Sequence, residues 1–282
     1  MIQKTSYIDS LTPILDQYDA LLIDICGVVH DGTLVFPWAN ETLAQLASLS
    51  KRLVLFSNSP RTTNASMRQL QKYGVDIAGA GLCTSGQYFV EQMQSRISTD
   101  QDNGNLFIVG VDKNPELAQS LVDVGAMIVD SISQAKYLVI FDNAALEGEF
   151  SRHDGVFAMG VKLGITALCP NPDTKATAGR GIMYPQGAFA KRYQNMGGSV
   201  EYFGKPMPGF YQHAKSKFTL DNMRILAVGD NMETDIEGAY NCGLDSILIL
   251  GTGIYRNEDV LHSNLLAKYK FHPTYMTEKF SL

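Results

Sequence analysis

Asp24 closes the apolar run LLI, Ser57 and Asn58 close RLVLF, and Asp230 closes ILAVG, so three short hydrophobic segments each end on groups that can do chemistry. Lys205 lies in FGKPMPGFY, and Asp235 falls about one helical turn beyond Asp230. Taken singly, each of these is also an ordinary turn or loop residue. Taken together, they supply what phosphoryl transfer requires: an acceptor oxygen, a hard cation, donors for the non-bridging oxygens, and a positive charge opposite the metal. Asp24 offers the acceptor oxygen. Asp24 and Asp230 offer two carboxylate oxygens to Mg²⁺, an ion that takes few protein ligands and keeps several waters, one of which Asp235 can hold. The Ser57 hydroxyl and the Asn58 backbone N–H are the phosphate donors, and Lys205 is the cation.

For these groups to meet, the runs that carry them must be strands of one parallel sheet with their C-terminal ends on one edge, where such sheets bind ligands. The pattern agrees. Runs at 21–25, 52–57, 79–85, 225–230 and 246–251 alternate with stretches of helical period at 40–50 and 62–74, which predicts βαβ units. A second alternating set fills 105–169, from NLFIVG through PELAQSLVDVG, AMIVD, KYLVIFD and a helical SRHDGVFAMGVKLG to ITALC. One sheet holding both sets would have about ten strands, a size that twisted open sheets rarely exceed without splitting. The expectation is therefore an inserted second α/β domain, hinged at STDQDNGN (98–105) and TAGRG (177–181).

Composition excludes several classes. The 282 residues are 45% hydrophobic, enough for a substantial core, and the formal net charge of −6 without Lys/Arg-rich runs argues against nucleic acid as a partner. No apolar stretch approaches the ~20 residues that span a bilayer, and MIQKTSYIDS lacks a signal-peptide core, so a cytoplasmic protein without a membrane partner is expected. Four cysteines without a CxxC pair predict reduced thiols, and five histidines form no HxxxH or HExxH pattern. Neither GxGxxG nor GxxxxGK[ST] occurs, which disfavours a nucleotide cofactor.

The segments IDICGVV (23–29), LFSN (55–58), GKPMP (204–208) and VGDNMETDIEGA (228–239) follow one another in the order of the four motifs of the haloacid dehalogenase-like (HAD) phosphatases, which the chain resembles over residues 18 to 253. The GKPxP and GDNxxTDIxGA forms resemble subclass IIA in particular, whose members include p-nitrophenyl, nucleotide, sugar-phosphate and pyridoxal phosphate phosphatases. The resemblance implies a Rossmann-like parallel-sheet core built from 1–100 and 185–282, with an α/β C2-type cap at 101–184 that closes over the site and selects the substrate. It implies that Asp24 becomes an aspartyl-phosphate. It also implies that the backbone carbonyl of Cys26 joins Asp24 and Asp230 on Mg²⁺, that Ser57 and Lys205 bind phosphate, and that Asp235 is the second acid of the last motif. CPNPDTK (169–175) resembles the subclass's Asn-x-Asp cap loop, which makes Asn171 and Asp173 candidate specificity residues, with a plain loop as the alternative. Members of the subclass often dimerise through the cap, and the resemblance extends a homodimer to this chain.

Cys26 departs from the family pattern. The residue two after the nucleophile is normally an Asp that protonates the leaving alcohol and then deprotonates water, a service typically worth ~10²–10⁴-fold. A thiol is a weak donor and, beside Asp24, a poor base, so Cys26 reads as a small residue that contributes its backbone. His30 and Asp31, in HDGT, read as turn formers, and Trp38 either lines the entrance or packs. The expected function is a Mg²⁺-dependent phosphohydrolase of a small phosphorylated metabolite that favours activated leaving groups. The alternative is a phosphometabolite-binding protein with little turnover. A receiver-like phospho-acceptor domain explains neither the cap nor GKPMP.

Overall fold

The computed structural model describes residues 5–99, 104–179, 181–256 and 262–282. The chain begins in one parallel sheet with β1 (Ser6–Tyr7), β2 (Ala20–Ile23), β3 (Arg52–Ser57) and β4 (Gly81–Thr84). It crosses to a second parallel sheet for β5 (Asn105–Val109), β6 (Met127–Ile128), β7 (Tyr137–Ile140) and β8 (Thr166–Cys169). An antiparallel hairpin follows, β9 (Ala176–Ala178) with β10 (Gly181–Met183), before β11 (Val200–Tyr202) rejoins the second sheet. The chain then returns to the first sheet as β12 (Ile225–Gly229), β13 (Asp245–Ile249) and β14 (Tyr275–Thr277). The strand orders are β1-β14-β13-β12-β2-β3-β4 and β11-β8-β7-β5-β6. This is the parallel α/β core with a second, inserted α/β unit that the sequence predicts.

Alternation along each strand assigns its two faces. On one side of the first sheet, Leu21, Ile23, Leu53, Leu55, Leu226 and Val228 pack against Leu43 and Leu46 of α1 (Ala39–Ser48) and Leu70 of α2 (Thr63–Lys72). Thr62 caps α2, its hydroxyl accepting the Ala65 N–H at 3.3 Å. On the other side, Ala20, Leu22, Val54 and Phe56 meet Phe210, Tyr211 and Ala214 of α7, the seventh of helices that continue as α3 (Ser85–Thr99), α4 (Pro115–Asp123), α5 (Asp154–Lys162), α6 (Gln186–Asn195) and α7 (Pro208–Lys217). With both faces covered, the central strands read as unbroken apolar runs, each fully buried Leu or Phe contributing about 1.5–3 kcal/mol. No helix among the described residues is long and apolar enough to cross a membrane.

The second sheet repeats this arrangement. Leu106, Ile108, Val139 and Leu168 pack on Leu117 and Leu121 of α4, and also on Phe89 and Met93 of α3, so α3 serves both sheets. Leu138, Ile140 and Ala167 pack on Phe157 of α5 and on Phe189 and Tyr193 of α6. The boundary expected at residue 184 therefore falls short, because the second unit runs on through α6 to Tyr202, with Val200 paired to Ala167 and Tyr202 to Cys169. Pro185 and Gly187 suggested a return to the first sheet, but Pro185 is the extended residue that leads into α6. Residues 100–103 of the first expected hinge and Arg180 of the second lie outside the described residues, and what is described of 177–181 belongs to the β9–β10 hairpin rather than to a connection between sheets.

Phe189 is fully buried against the second sheet. Phe189→Ala should cost about 3–5 kcal/mol in denaturant unfolding. Hydrogen exchange in the variant should accelerate in β7, β8 and β11 before β2, β3 and β12, and equal acceleration in both sheets would show that α6 does not belong to the second unit.

Candidate active site

Register brings the reactive groups together. β2 lies between β12 and β3, with Ile23 opposite Val228 and Leu55, so Asp24, Ser57 and Asp230 emerge on one edge. The Asp24 N–H extends the ladder to Val228 O at 2.8 Å, after which the chain turns sharply at Gly27. Gly27 has φ +93°, and a Cβ there would lie 2.2 Å from Asp230 Oδ2, so glycine is required twice over, by conformation and by space. On the far side, a single wide helical turn at Met232–Ile236, capped by the Asn231 side chain on the Glu233 N–H (2.9 Å), swings Asp235 back over Gly229.

Lys205 joins these elements. Its buried ammonium donates to Asp24 Oδ1 at 2.5 Å, to Asp235 Oδ1 at 2.6 Å and to the Phe56 carbonyl at 3.1 Å. Carboxylate oxygens of Asp24, Asp230 and Asp235 lie within 4.8 Å of one another. The remaining capacity of the acids is partly filled by backbone: the Asn231 N–H donates to Asp235 Oδ2 (3.1 Å) and the Ile254 N–H to Asp230 Oδ2 (2.9 Å).

One ammonium does not neutralise three buried carboxylates. Burial pushes Asp24 up to about 7 against the pull of Lys205, and burial followed by the charges of Asp24 and Asp235 lifts Asp230 well above the usual carboxylate range. Burial would lower Lys205, but Asp235 and Asp24 outweigh it and hold the ammonium well above its ordinary value. A compact set of hard oxygen donors with excess negative charge fits a divalent cation, which would restore the carboxylates to their charged form.

Ser57 and Asn58, expected from the sequence to be phosphate donors, stand at the end of β3. Ser57 Oγ accepts the Ser59 N–H at 3.1 Å and keeps its own proton free to donate, while the Asn58 backbone N–H takes no partner among the described residues. The Asn58 side chain has a different task. Its Nδ2 donates to the Lys205 carbonyl (3.0 Å) and to Asp173 Oδ1 (2.9 Å), and its Oδ1 accepts the Lys205 N–H (2.7 Å), so one amide ties the lysine loop to the second unit.

Cys26 lines the same cleft as these groups, with its thiol engaged by the β9–β10 hairpin. Its Sγ lies 3.1 Å from Thr177 Oγ1 on β9, and burial pushes the thiol up to about 12, so it stays protonated across the neutral range. Its backbone carbonyl takes no hydrogen bond among the described residues and is free to bind a cation. The two residues read as turn formers are so: Asp31 Oδ1 accepts the N–H groups of Thr33 and Leu34, and His30 Nδ1 accepts that of Gly32. Trp38 stacks on Phe36 outside the cleft lining, so of its two readings packing is the one observed.

The second unit roofs a cleft of about 280 Å³ above these groups. Both candidate cap residues line it. Asn171 Oδ1 accepts the Asp173 N–H (2.9 Å) and shapes the loop, whereas Asp173 reaches down to Asn58. Sequence reasoning passed over Thr177, the partner of the thiol, and Gln186, a buried cleft residue whose Oε1 lacks a partner among the described residues. Neither carries a sequence signal, because each sits in an ordinary strand or helix start.

Two family models match the chain: one described as haloacid dehalogenase-like hydrolase over residues 21–126, and one described as HAD-hydrolase-like over 202–281. Acid sugar phosphatase of Staphylococcus aureus is 26% identical over 260 residues, covering 91% of this chain and 95% of that protein. Among solved structures, a haloacid dehalogenase-like family hydrolase from Brucella suis superposes with a TM-score of 0.79 at 24% identity, covering 97% of this chain and 99% of that one. A glycerol phosphate phosphatase from Mycobacterium tuberculosis in complex with calcium gives a TM-score of 0.63 at 24% identity, over 85% of this chain and 68% of that one.

Gly27→Ala should displace the Asp230 carboxylate and weaken divalent-cation binding, measured by titration calorimetry with Mg²⁺ and Ca²⁺ as probes, by ~10–100-fold. An unchanged affinity would remove Asp230 from the cation site. Cys26 should resist iodoacetamide at pH 7–8 in the folded protein and react on unfolding, as followed by mass spectrometry.

Proposed function

We propose that this chain, which belongs to the haloacid dehalogenase-like hydrolases, is a Mg²⁺-dependent phosphatase of a small phosphorylated metabolite, of the sugar- or polyol-phosphate class, that works through an aspartyl-phosphate on Asp24. The observation that carries this reading is the buried contact of Lys205 with both Asp24 and Asp235 at the floor of a roofed cleft. The names of the relatives, acid sugar phosphatase and glycerol phosphate phosphatase, support the substrate class.

Asp24, Asp230 and the Cys26 carbonyl would hold the cation, with Asp235 reaching it through water. When bound, Mg²⁺ supplies charge neutralisation for the phosphoryl oxygens. Ser57 Oγ–H and the Asn58 N–H hold two of those oxygens from the end of β3. Lys205, fixed by Asn58 through its own backbone, compensates the charge on the side of Asp235. The free carboxylate oxygen of Asp24 attacks phosphorus, the bond to the leaving oxygen breaks, and water later displaces Asp24 to release inorganic phosphate. Because the transition state is loose, positioning and electrostatics carry most of this step. The second unit acts as the cap, its wall formed by Asn143, Lys175, Met183 and Gln186, and selects the leaving group.

The orientation of Cys26 keeps a second reading in view, a protein that binds such metabolites with little turnover. The two readings separate on p-nitrophenyl phosphate. A phosphatase should hydrolyse it with Mg²⁺, lose activity in EDTA, and lose about 10³-fold or more in Asp24→Asn. Mg²⁺-dependent binding of vanadate with equal inactivity of the unaltered protein and Asp24→Asn would favour the binding protein and sink the phosphatase.

A further inference from the structure

We infer that Asp173, on the cap loop, serves as the general acid and base that Cys26 cannot be; this rests on the phosphatase reading above. Among the described residues, the cleft wall holds four carboxyl groups, those of Asp24, Asp173, Asp230 and Asp235. Three are committed to the nucleophile and the cation. Asp173 remains.

Other proton carriers in the wall are poorly suited. The Cys26 thiol is bonded to Thr177 and stays a thiol. His30 has Nδ1 taken by the Gly32 N–H at 2.8 Å and its ring edge-on to Tyr73, and burial lowers it to about 4, so its charged form is scarce near neutrality. Lys113 is paired with Asp112, and Lys175 is exposed.

The place of Asp173 suits the task. In-line displacement by Asp24, at the end of a core strand, puts the leaving oxygen on the opposite side of phosphorus, toward the cap. Asp173 descends from there. Its loop is held by the Asn171 side chain on its N–H, and its carboxylate by Asn58 Nδ2 at 2.9 Å, the same amide that grips both backbone groups of Lys205. The carboxyl is thus fixed beside the lysine that touches the nucleophile. The charged and titratable groups that face it are Lys205, Asp235, Asp24, Cys26 and Cys169. Burial, opposed by Lys205 and the Asn58 hydrogen bond, raises Asp173 to about 6, close to the value that serves proton transfer in both directions near neutral pH.

In the first step the Asp173 carboxyl proton passes to the leaving oxygen as its bond to phosphorus breaks, giving a neutral alcohol and an Asp173 carboxylate. In the second, that carboxylate takes a proton from water as the water oxygen bonds to phosphorus and the Asp24–phosphorus bond breaks. Phosphate departs, and both acids return to their starting forms.

The test is Asp173→Asn, which keeps an oxygen for Asn58 and removes the transferable proton, assayed on glycerol 3-phosphate and on p-nitrophenyl phosphate. An alkyl leaving group needs the proton and nitrophenolate does not. The expected result is a fall in kcat/KM of about 10²-fold or more on the alkyl ester and a loss at least about tenfold smaller on the aryl ester. The aryl ester should then show a burst of nitrophenol, as the second step lags. Adding Cys26→Asp to Asp173→Asn should restore alkyl turnover. In the unaltered protein, kcat/KM on the alkyl ester should fall as pH rises through the range in which Asp173 loses its proton, a limb absent from Asp173→Asn. Equal losses on both esters, no loss, or an unchanged alkaline limb in the variant would overturn the assignment and leave Asp173 as a support for Asn58. If the unaltered protein turned over neither ester, the phosphatase reading would fall and this assignment with it.

Discussion

The buried contact of Lys205 with Asp24 and Asp235 is the constraint around which the molecule is arranged. Taking an ammonium and carboxylates out of water costs several kcal/mol per ion, and the cost is offset only by close mutual geometry and further hydrogen bonds. Here both exist. Asp24 reaches Lys205 because β2 lies inside its sheet between β12 and β3, and Asp235 because one helical turn is wide enough to fold back over Gly229. Lys205 arrives from the other unit, only a few residues after β11 leaves the second sheet. The charge cluster therefore pins the return crossing, and with it the roof, to the floor of the cleft. Asn58 reinforces the same joint from β3.

Much of this was legible in the sequence, for physical reasons. Runs such as LLI and ILAVG are buried on both faces, so their apolar content is unbroken and their C-terminal ends are marked by the first polar residue, which in each case is an Asp at the site. Lys205 stood out by its neighbours, Gly204 and Pro206. Other features were not legible. β1 and β14 are two and three residues long and pair with each other at the sheet's edge, too short for any periodicity. The second unit was expected to end at 184 because proline and glycine punctuate 185–187, whereas the apolar spacing of Phe189 and Tyr193 faces the second sheet. Side-chain reach was also beyond the sequence. Asn58 was read for its backbone N–H, and nothing in SNSP indicates that its amide would span from Lys205 to Asp173. The direction taken by the Cys26 thiol depends on a hairpin about 150 residues further along the chain.

The substitution at Cys26 has a structural counterpart. A carboxylate there would be a further negative group beside Asp24 and Asp230, in a region where burial already raises both. The thiol avoids that repulsion and makes a contact with Thr177 that helps seat the hairpin on the core. Chain stability and chemical power thus pull in opposite directions at one position, a common outcome where an active site is built from buried like charges.

Helix α3 bears on how the protein admits its substrate. Tyr88 packs on Phe210 of the first unit, with ring centroids 5.2 Å apart, while the next residue, Phe89, is sunk in the core of the second beside Phe203. A rigid rod embedded in both halves does not work as a slack tether. A slide of the second sheet across the rod, a shear movement, keeps more of this packing than a swing would. The roof and the floor of the cleft share one helix, and a shift of either repacks Tyr88 and Phe89.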